Sequence, residues 1–199
     1  NQHKFFVVVL LFHVRQMVKA MGIARQLGFD DVQIVVPNLT LGMARQVGPT
    51  IMSGVVGAAP WFWNLPYEKG YPRGKAFVEA FSQRYDMRPS SSAASAYSIV
   101  YQYKDAVERA GTTNSEAVIR ALEGHHYRLL KDEQYWRAFD HQNVQTVYVV
   151  RVKDRDAVVA DPYGSDYFEI IDAMAGVQAA QTREEWETRR QQSGKPPQL

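Results

Sequence analysis

The sequence contains no cysteine among its 199 residues, which excludes disulfide bonds, thiolate metal sites and cysteine nucleophiles. This absence does not fix a cellular compartment, because many exported bacterial proteins also lack cysteine. A strong excess of charge is missing as well: the formal net charge is +2, and the basic residues are scattered along the chain. A basic patch or stripe is the usual sign of nucleic-acid binding, so we expect no nucleic-acid partner.

The sequence has no apolar run long enough to cross a bilayer. Its longest run, FFVVVLLF at residues 5–12, falls far short of the ~20 residues that a membrane-spanning helix needs. Lys4 precedes the run, as in a signal peptide, but the charged stretch HVRQMVKAM follows in place of a small-residue cleavage site. We interpret residues 5–11 as a buried β-strand and expect no direct membrane insertion. A chain that opens so close to a central strand looks like the later part of a longer protein.

Motifs for nucleotide binding and serine hydrolysis are also absent from the sequence: it has no GxGxxG, GxxxxGK[ST] or GxSxG. Histidine is scarce, with five in the chain. His125 and His126 are adjacent, so their side chains point in different directions, and we interpret them as solvated loop residues rather than a metal pair. His141 lies between two predicted strands and is interpreted as a turn residue. We expect no metal, no cofactor and no catalytic residue.

Apolar strands and helices alternate in the first third of the chain. The continuous β-branched and aromatic run at residues 5–11 is typical of a strand covered on both faces, and residues 32–36 and 53–61 are predicted to be the next two strands. A helical pattern at residues 14–27 separates the first two strands, and the short helical segment TLGMARQVG separates the second and third. This order predicts an α/β fold with a parallel sheet and right-handed crossovers.

The remainder of the chain begins with a connector rich in Pro, Gly and Tyr at residues 64–74, which three helical stretches follow. The third stretch, TNSEAVIRALEG, opens with the capping-box pattern Thr113-x-x-Glu116. Two strand-like pieces come next, WRAFDHQ and TVYVVRVKD, and a capped helix is predicted from Thr182.

Polar and aromatic residues follow the predicted strands where these end. His13 comes after the first strand, Asn38 and Thr40 after the second, and Trp61 and Trp63 after the third. In open α/β sheets, ligands bind outside the carboxyl ends of the strands. The local alternative is that His13 is a helix cap or an exposed residue, and that Asn38 and Thr40 cap the next helix.

The stretch PWFWNLP raises three alternatives: buried core, a membrane-facing patch, or the wall of a ligand cleft. Its prolines and the charges after it argue against a membrane patch. Core and cleft are compatible, because one aromatic can be buried while another faces a ligand. If strand geometry continues past Pro60, Trp61 and Trp63 point to one side and Phe62 to the other.

The order and spacing of these segments resemble a known family. QIVVPNLTLG, GVVGAAPWFWNLP and the stretch from PRGKAFVEAF to TVYVVRVK, closed by REEWETRR, are similar to the C-terminal half of a periplasmic solute-binding protein of the branched-chain amino acid/amide/urea class, which serves an ABC importer. The resemblance implies a two-lobe α/β fold of the type I binding-protein kind, with parallel sheets flanked by helices and its N-terminal part missing. Residues 1–53 would belong to the second lobe, and residues 54–135 to the first lobe, reached through a hinge crossing. Residues 136–199 would contain the last crossing and the return to the second lobe.

The resemblance also implies where a solute would bind. Phe12 and His13 lie at an aromatic position that faces the cleft in the family, and Tyr97 lies near a first-lobe helix start that approaches the ligand. Amino-acid-binding members carry an acidic residue after the second strand, where this sequence has Asn38. An amide cannot neutralise a buried ammonium group. We therefore expect an amide, a urea-like compound or a carboxylate, aromatic ones included, ahead of a branched-chain amino acid.

By the same resemblance, the protein would be the periplasmic, non-enzymatic binding component of an ABC importer, with a membrane permease as its partner. It would trap a small polar solute between its lobes by hinge closure. A ligand-sensing regulatory or receptor domain of the same fold is the alternative. A small α/β enzyme is a third possibility, and would require a base or a metal in the cleft.

Overall fold

The computed structural model describes residues 7–11, 14–28 and 32–196. In this part of the chain the strands are β1 (Val7–Val9), β2 (Gln33–Val36), β3 (Val56–Ala59), β4 (His126–Tyr127), β5 (Gln134–Trp136), β6 (Asn143–Val144), β7 (Val147–Val152) and β8 (Phe168–Met174). The helices are α1 (Val14–Gln26), α2 (Leu41–Val47), α3 (Pro49–Met52), α4 (Leu65–Lys69), α5 (Pro72–Tyr85), α6 (Ser91–Ala110), α7 (Ser115–Leu122), α8 (Arg155–Ala160), α9 (Gly176–Ala179) and α10 (Arg183–Gln192).

The main sheet has five strands in the order β1-β2-β3-β7-β8. Strands β1, β2 and β3 pair in parallel through helical crossovers, as the sequence predicts. Strands β7 and β8 are antiparallel to their neighbours, so the sheet is mixed rather than wholly parallel. Short antiparallel strands form a second sheet in the order β4-β5-β6.

The core lies between the main sheet and its helices. The apolar side of α1 buries Met17 and Met21, which pack with Ile34 and Val36 of β2. The same buried cluster continues through β7 and into the segment after β3, where it includes the residues Val150, Val152, Trp61, Phe62 and Leu65. The core therefore joins the sheet to the aromatic stretch that stood out in the sequence.

Burial of the first strand is a prediction that the structure corrects. Val7, Val8 and Val9 are 59%, 43% and 54% exposed. Strand β1 lies at the edge of the sheet, with a strand neighbour on one side only. A continuous apolar run predicts burial only where helices pack on both faces of the strand. Residues 5 and 6 of the predicted strand lie outside the described residues. Helix α6 shows a similar surface, with Ile99 and Val100 exposed.

Helix starts agree with the sequence in two places and differ in a third. The Thr40 side chain caps α2, and Thr182 forms a full capping box with Glu185 at the start of α10. Helix α7 is capped by Asn114, whose side chain accepts from the backbone N–H of Ala117. The predicted capping box at Thr113 is therefore wrong by one residue, because Asn114 is itself a strong capping residue and supplies the acceptor.

A close approach in the sheet fixes the segment after β2 against β3. A Cβ atom added to Gly57 in β3 would lie 2.5 Å from Leu39 Cβ and closer still to the carbonyl oxygen of Val36. In addition, the backbone N–H of Leu39 donates to the carbonyl of Ala58 at 3.1 Å. Only glycine leaves room for this contact, which sets the position of residues 37–40.

Candidate functional site

One edge of the main sheet gathers three chain segments. Strands β2 and β3 are parallel neighbours, so both end at this edge, and β7, antiparallel to β3, begins there. We call residues 37–40 the β2 exit, residues 60–63 the β3 exit and residues 145–146 the β7 entry. Most of the site residues predicted from the sequence lie in the first two segments.

The β2 exit presents one polar side chain to solvent and uses another locally. Asn38 is exposed, and its side chain makes no hydrogen bond to the described residues. Thr40 Oγ1 accepts from the backbone N–H of Met43 at 3.2 Å, which is the helix-capping role that the local alternative anticipated. The amide of Asn38 is therefore available for a ligand, whereas the acceptor of Thr40 already has a partner.

The exit of β1 is only partly described. Leu10 donates its backbone N–H to the carbonyl of Val35 at 2.9 Å, which continues the parallel pairing beyond β1. Phe12 and His13, both predicted to face a ligand, lie outside the described residues.

The β3 exit leaves the sheet at once. Strand β3 ends at Ala59, so the condition for placing both tryptophans on one side is not met. Trp61 and Phe62 are 4% and 3% exposed. The Trp61 ring packs edge-to-face on Phe77 of α5, with ring centroids 5.9 Å apart. Phe62 packs in the core between Tyr148 and Phe168.

Trp63 already has a hydrogen-bond partner and a cation on its ring. Its Nε1 donates to the carbonyl of Ser165 at 2.9 Å, and the guanidinium of Arg88 lies 4.2 Å from the centroid of its ring. Asn64, the next residue, donates from Nδ2 to Asp166 Oδ1 at 3.0 Å. Since its indole N–H is already used, Trp63 could offer a ligand only its ring surface.

Trp61 differs from Trp63 in its hydrogen bonding. Its Nε1 is buried and has no hydrogen-bond partner in the described part of the chain. Leaving such a donor unpaired costs about 1–3 kcal/mol. The Trp61 side chain lines two cavities, a small one shared with Leu39 and Phe62 and a larger one of about 150 Å³. An unpaired donor on a cavity-lining residue can bind a group that offers an acceptor once that group reaches Nε1, which has almost no accessible surface in this structure.

The larger cavity has mixed walls. Its polar lining includes Ser95 and Ser98 of α6 and a hydrogen-bonded chain from the small sheet. In that chain Tyr127 donates to Gln134 Oε1 and accepts from Asn143 Nδ2, both at 2.9 Å. Burial raises the pKa of Tyr127 to about 12, so its hydroxyl remains neutral at physiological pH. These walls suit a small molecule with both apolar and hydrogen-bonding parts.

Tyr97 is connected to Trp61 indirectly. Its ring centroid lies 4.9 Å from that of Phe77, the same ring that packs on Trp61. Its hydroxyl accepts from Arg73 Nε at 3.3 Å, and the centroid of the tilted Tyr101 ring lies 4.5 Å from that of Tyr97. The structure thus brings Trp61 and Tyr97 into one aromatic group, whereas Trp63 lies in another.

Lys131 is a residue that the sequence analysis did not single out. It lines the larger cavity, and its side chain is 2% exposed. Burial lowers the pKa of its ammonium group to about 8, and the neighbouring Asp132 carboxylate partly opposes that shift. The sequence around it, LLKDEQ, reads as a polar turn. The two leucines directly before Lys131 are the one local sign that this turn is buried.

Comparison with known proteins establishes the family. A family model described as periplasmic binding protein matches residues 2–157. The chain belongs to the periplasmic binding protein family. Comparison with curated proteins gives no significant match. Among the described residues, no helix has both the length and the apolar character needed to cross a membrane.

Solved structures with the same fold include a periplasmic binding protein from Burkholderia mallei, with a TM-score of 0.77 and 23% identity over 90% of this chain and 46% of that one. A branched-chain amino acid ABC transporter periplasmic ligand-binding protein from Burkholderia xenovorans has a TM-score of 0.77 and 21% identity, again over 90% of this chain and 46% of that one. A solute-binding protein of an ABC transporter from Rhodopseudomonas palustris, in complex with 3,4-dihydroxybenzoic acid, gives 0.68 and 17% over 85% of this chain and 45% of that one.

These comparisons confirm the predicted α/β fold of the type I binding-protein kind. The chain spans less than half the length of the solved relatives that it matches.

Proposed function

We propose that this chain is part of the solute-binding component of an ABC importer, which traps a small polar solute between two lobes by hinge closure. Family membership supports the binding role. The observation that carries the site is the buried, unpartnered Nε1 of Trp61 at the sheet edge where β2 and β3 end. Ligands of open α/β sheets bind at such an edge.

The lobes of this proposal keep the boundaries predicted from the sequence. Residues 1–53 form part of the second lobe, residues 54–135 form part of the first, and residues 136–199 contain the last crossing. The β3 exit and the β7 entry are then two of the segments that pass between lobes. The closed form would be presented to a membrane permease from the periplasm.

The chemistry of the exits favours a ligand that offers acceptors. The indole N–H of Trp61 is a donor only, and Asn38 carries no charge to balance an ammonium group. Carboxylates, amides and urea-like compounds fit both residues. An aromatic acid is a member of this class, and one solved relative of the same fold is in complex with 3,4-dihydroxybenzoic acid.

Thermal shift and calorimetry on the full-length protein test the proposal. The panel contains simple amides, urea, benzoic acids and branched-chain amino acids. We expect at least one class without an ammonium group to raise the melting temperature, because a ligand that binds only the folded state stabilises it. The importer proposal fails if no solute in the panel shifts the melting temperature.

An exchange at Asn38 tests the ligand class separately. Asn38→Asp places a carboxylate on the β2 exit, so affinity for ammonium-bearing amino acids should rise and affinity for carboxylates should fall. Asn38→Ala is the matched control, because it removes the amide without adding charge and should weaken both classes alike. Equal responses of the two variants would show that Asn38 does not face the ligand.

The proposed location has its own test. A cleavable signal peptide in the sequence preceding residue 1 would support export to the periplasm. An initiator methionine directly before the first strand would favour a ligand-sensing domain inside the cell instead.

A further inference from the structure

Lys131 lies in the loop between β4 and β5, and its side chain is buried although it carries a charge. Its Nζ donates to the carbonyl of Pro60 at 2.8 Å and to the carbonyl of Thr146 at 2.6 Å. Pro60 is the first residue of the β3 exit, and Thr146 is the last residue of the β7 entry. One ammonium group therefore joins both segments at the point where the chain leaves and re-enters the main sheet.

The next residue strengthens the same connection. Thr146 Oγ1 donates to Asp132 Oδ2, so the loop holds the β7 entry through two neighbouring side chains. Lys131 Nζ lies 3.7 Å from Asp132 Oδ1 and 4.9 Å from the centroid of the Tyr148 ring. The ammonium also donates to Gln145 Oε1 at 3.5 Å, so it faces one carboxylate, two backbone carbonyls, one side-chain amide and an aromatic ring.

A buried ammonium group is less favourable than an apolar side chain for filling space in a protein interior. Removing a charge from water costs several kcal/mol unless the charge is paired. A protein with an apolar residue of similar volume at such a position is often equally stable. What methionine could not supply at this position is the pair of hydrogen bonds to Pro60 and Thr146. Hydrogen bonds from a charged donor are stronger than neutral ones, and here each bond leads to a different segment.

We propose that Lys131 is the positioning residue of the candidate site, fastening the β3 exit and the β7 entry to one loop so that the two segments move together. Trp61 follows Pro60 directly, so the position of its indole in the cavity wall depends on this connection. The consequence for solute binding rests on the proposed function, whereas the connection between the two segments is independent of it.

Hydrogen exchange followed by mass spectrometry on the full-length protein tests the connection without any ligand. In Lys131→Met, protection of the Leu65 amide, which donates to the Phe62 carbonyl of the β3 exit, and of the amides at 147–148 in β7 should fall together by at least about tenfold, the loss expected when bonds to a charged donor are removed. Amides of β2 should keep their protection. Lys131→Arg should recover part of it at both segments, since a guanidinium also donates to carbonyls.

Lys104→Met is the matched control. Lys104 lies on α6, is 62% exposed and pairs with Glu108, so its loss should leave both segments unchanged. Loss of protection in one segment alone, or equal loss throughout the sheet, would overturn the proposal. Lys131→Gln is the second variant if Lys131→Met does not fold, and the same paired loss is expected of it.

A solute found by the ligand panel adds a second readout. Lys131→Met should weaken its binding, and Lys131→Arg should restore part of the affinity. If no solute binds, the importer function fails while the exchange result still decides whether Lys131 couples the two segments.

Discussion

The two strand exits of the main sheet lie side by side but are built differently. The β2 exit carries an exposed amide, that of Asn38, and a capping hydroxyl, that of Thr40. The β3 exit carries three aromatics, two of them almost wholly buried, and is tied to Lys131. Substitutions at the β2 exit should therefore change ligand affinity more than stability. Substitutions at the β3 exit should affect stability, with Trp61 as the exception.

The largest expected effect comes from Gly57, the residue that lets the β2 exit pack against strand β3. Gly57→Ala places a Cβ against Leu39 and the Val36 carbonyl, neither of which can move without shifting the backbone. We expect a loss of about 3 kcal/mol in the free energy of unfolding, at the upper end for overpacked positions. Urea denaturation of the full-length protein measures it.

Gly42→Ala provides the control for this substitution. Gly42 lies in α2, and an added Cβ there would make only an ordinary contact, 3.9 Å from Thr40 Oγ1. Alanine favours the helix, so stability should be unchanged or slightly higher. A Gly57→Ala protein as stable as Gly42→Ala would show that the β2 exit is not in firm contact with strand β3.

The two tryptophans of the β3 exit provide the next test. Trp63→Phe removes the hydrogen bond to Ser165 and weakens the stacking of Arg88, and should cost about 2 kcal/mol. Trp61→Phe removes a donor that has no partner, so the relief offsets the lost packing and stability should change by less than about 1 kcal/mol. Chemical denaturation of both variants gives the stabilities, and calorimetry with the bound solute gives the affinities.

The expected pattern is a crossed one: Trp63→Phe lowers stability, and Trp61→Phe lowers affinity. If Trp61→Phe binds the solute as tightly as the wild type, the indole N–H is not a ligand contact.

A pH titration tests the burial of Lys131 beside the β3 exit. Its pKa is lowered to about 8 in the folded protein, from an ordinary value of 10.5. Between these two values the unfolded chain binds more protons than the folded one, so the free energy of unfolding rises with pH. The gain is at most about 1.4 kcal/mol per pH unit. This gain in the free energy of unfolding is absent well below the pKa of Lys131 in the folded protein.

Comparison of the wild type with Lys131→Met isolates this contribution, because other titrating groups affect both proteins alike. Urea denaturation from pH 7 to pH 9.5 should show the stability difference moving in favour of the wild type above about pH 8. A difference independent of pH would mean that Lys131 is solvated and has its ordinary pKa.

Among the substitutions that remove a hydrogen bond, the smallest loss of stability is expected at the β2 exit. Thr40→Ala removes the side-chain acceptor that caps α2 and should cost about 1 kcal/mol. Thr40→Ser keeps the hydroxyl and should be nearly neutral. The melting temperatures of the two variants measure the difference. A loss in Thr40→Ser as large as in Thr40→Ala would point to a role for the threonine methyl group instead of the cap.

Much of the fold follows from local patterns in the sequence. The alternation of apolar runs with helical spacing correctly predicted the parallel pairing of β1, β2 and β3, because each pattern reflects one face of one element. The same reasoning predicted that β1 is buried, and this was wrong, because its side chains are exposed in the structure. An apolar run shows that a strand can be buried. Whether it is buried depends on helices from other parts of the chain, which the run does not show.

The site was less accessible to sequence reasoning. Asn38, Thr40, Trp61 and Trp63 were proposed because they follow strands, but the sequence does not show which of them already have a hydrogen-bond partner. Trp63 meets Ser165, about a hundred positions along the chain, and nothing near either residue indicates the contact. Lys131 was missed for the same reason, since its partners belong to two other segments.

The unpartnered indole of Trp61 has a thermodynamic consequence for whatever molecule meets it. Water has already been removed from this N–H in the empty protein, so an incoming acceptor need not strip a solvent shell from the donor. Such a contact should appear in calorimetry mainly as heat released, with little entropy gained from freed water. A solute that lacks an acceptor at that point should bind with a smaller enthalpy, even when the two molecules fill the cavity equally well.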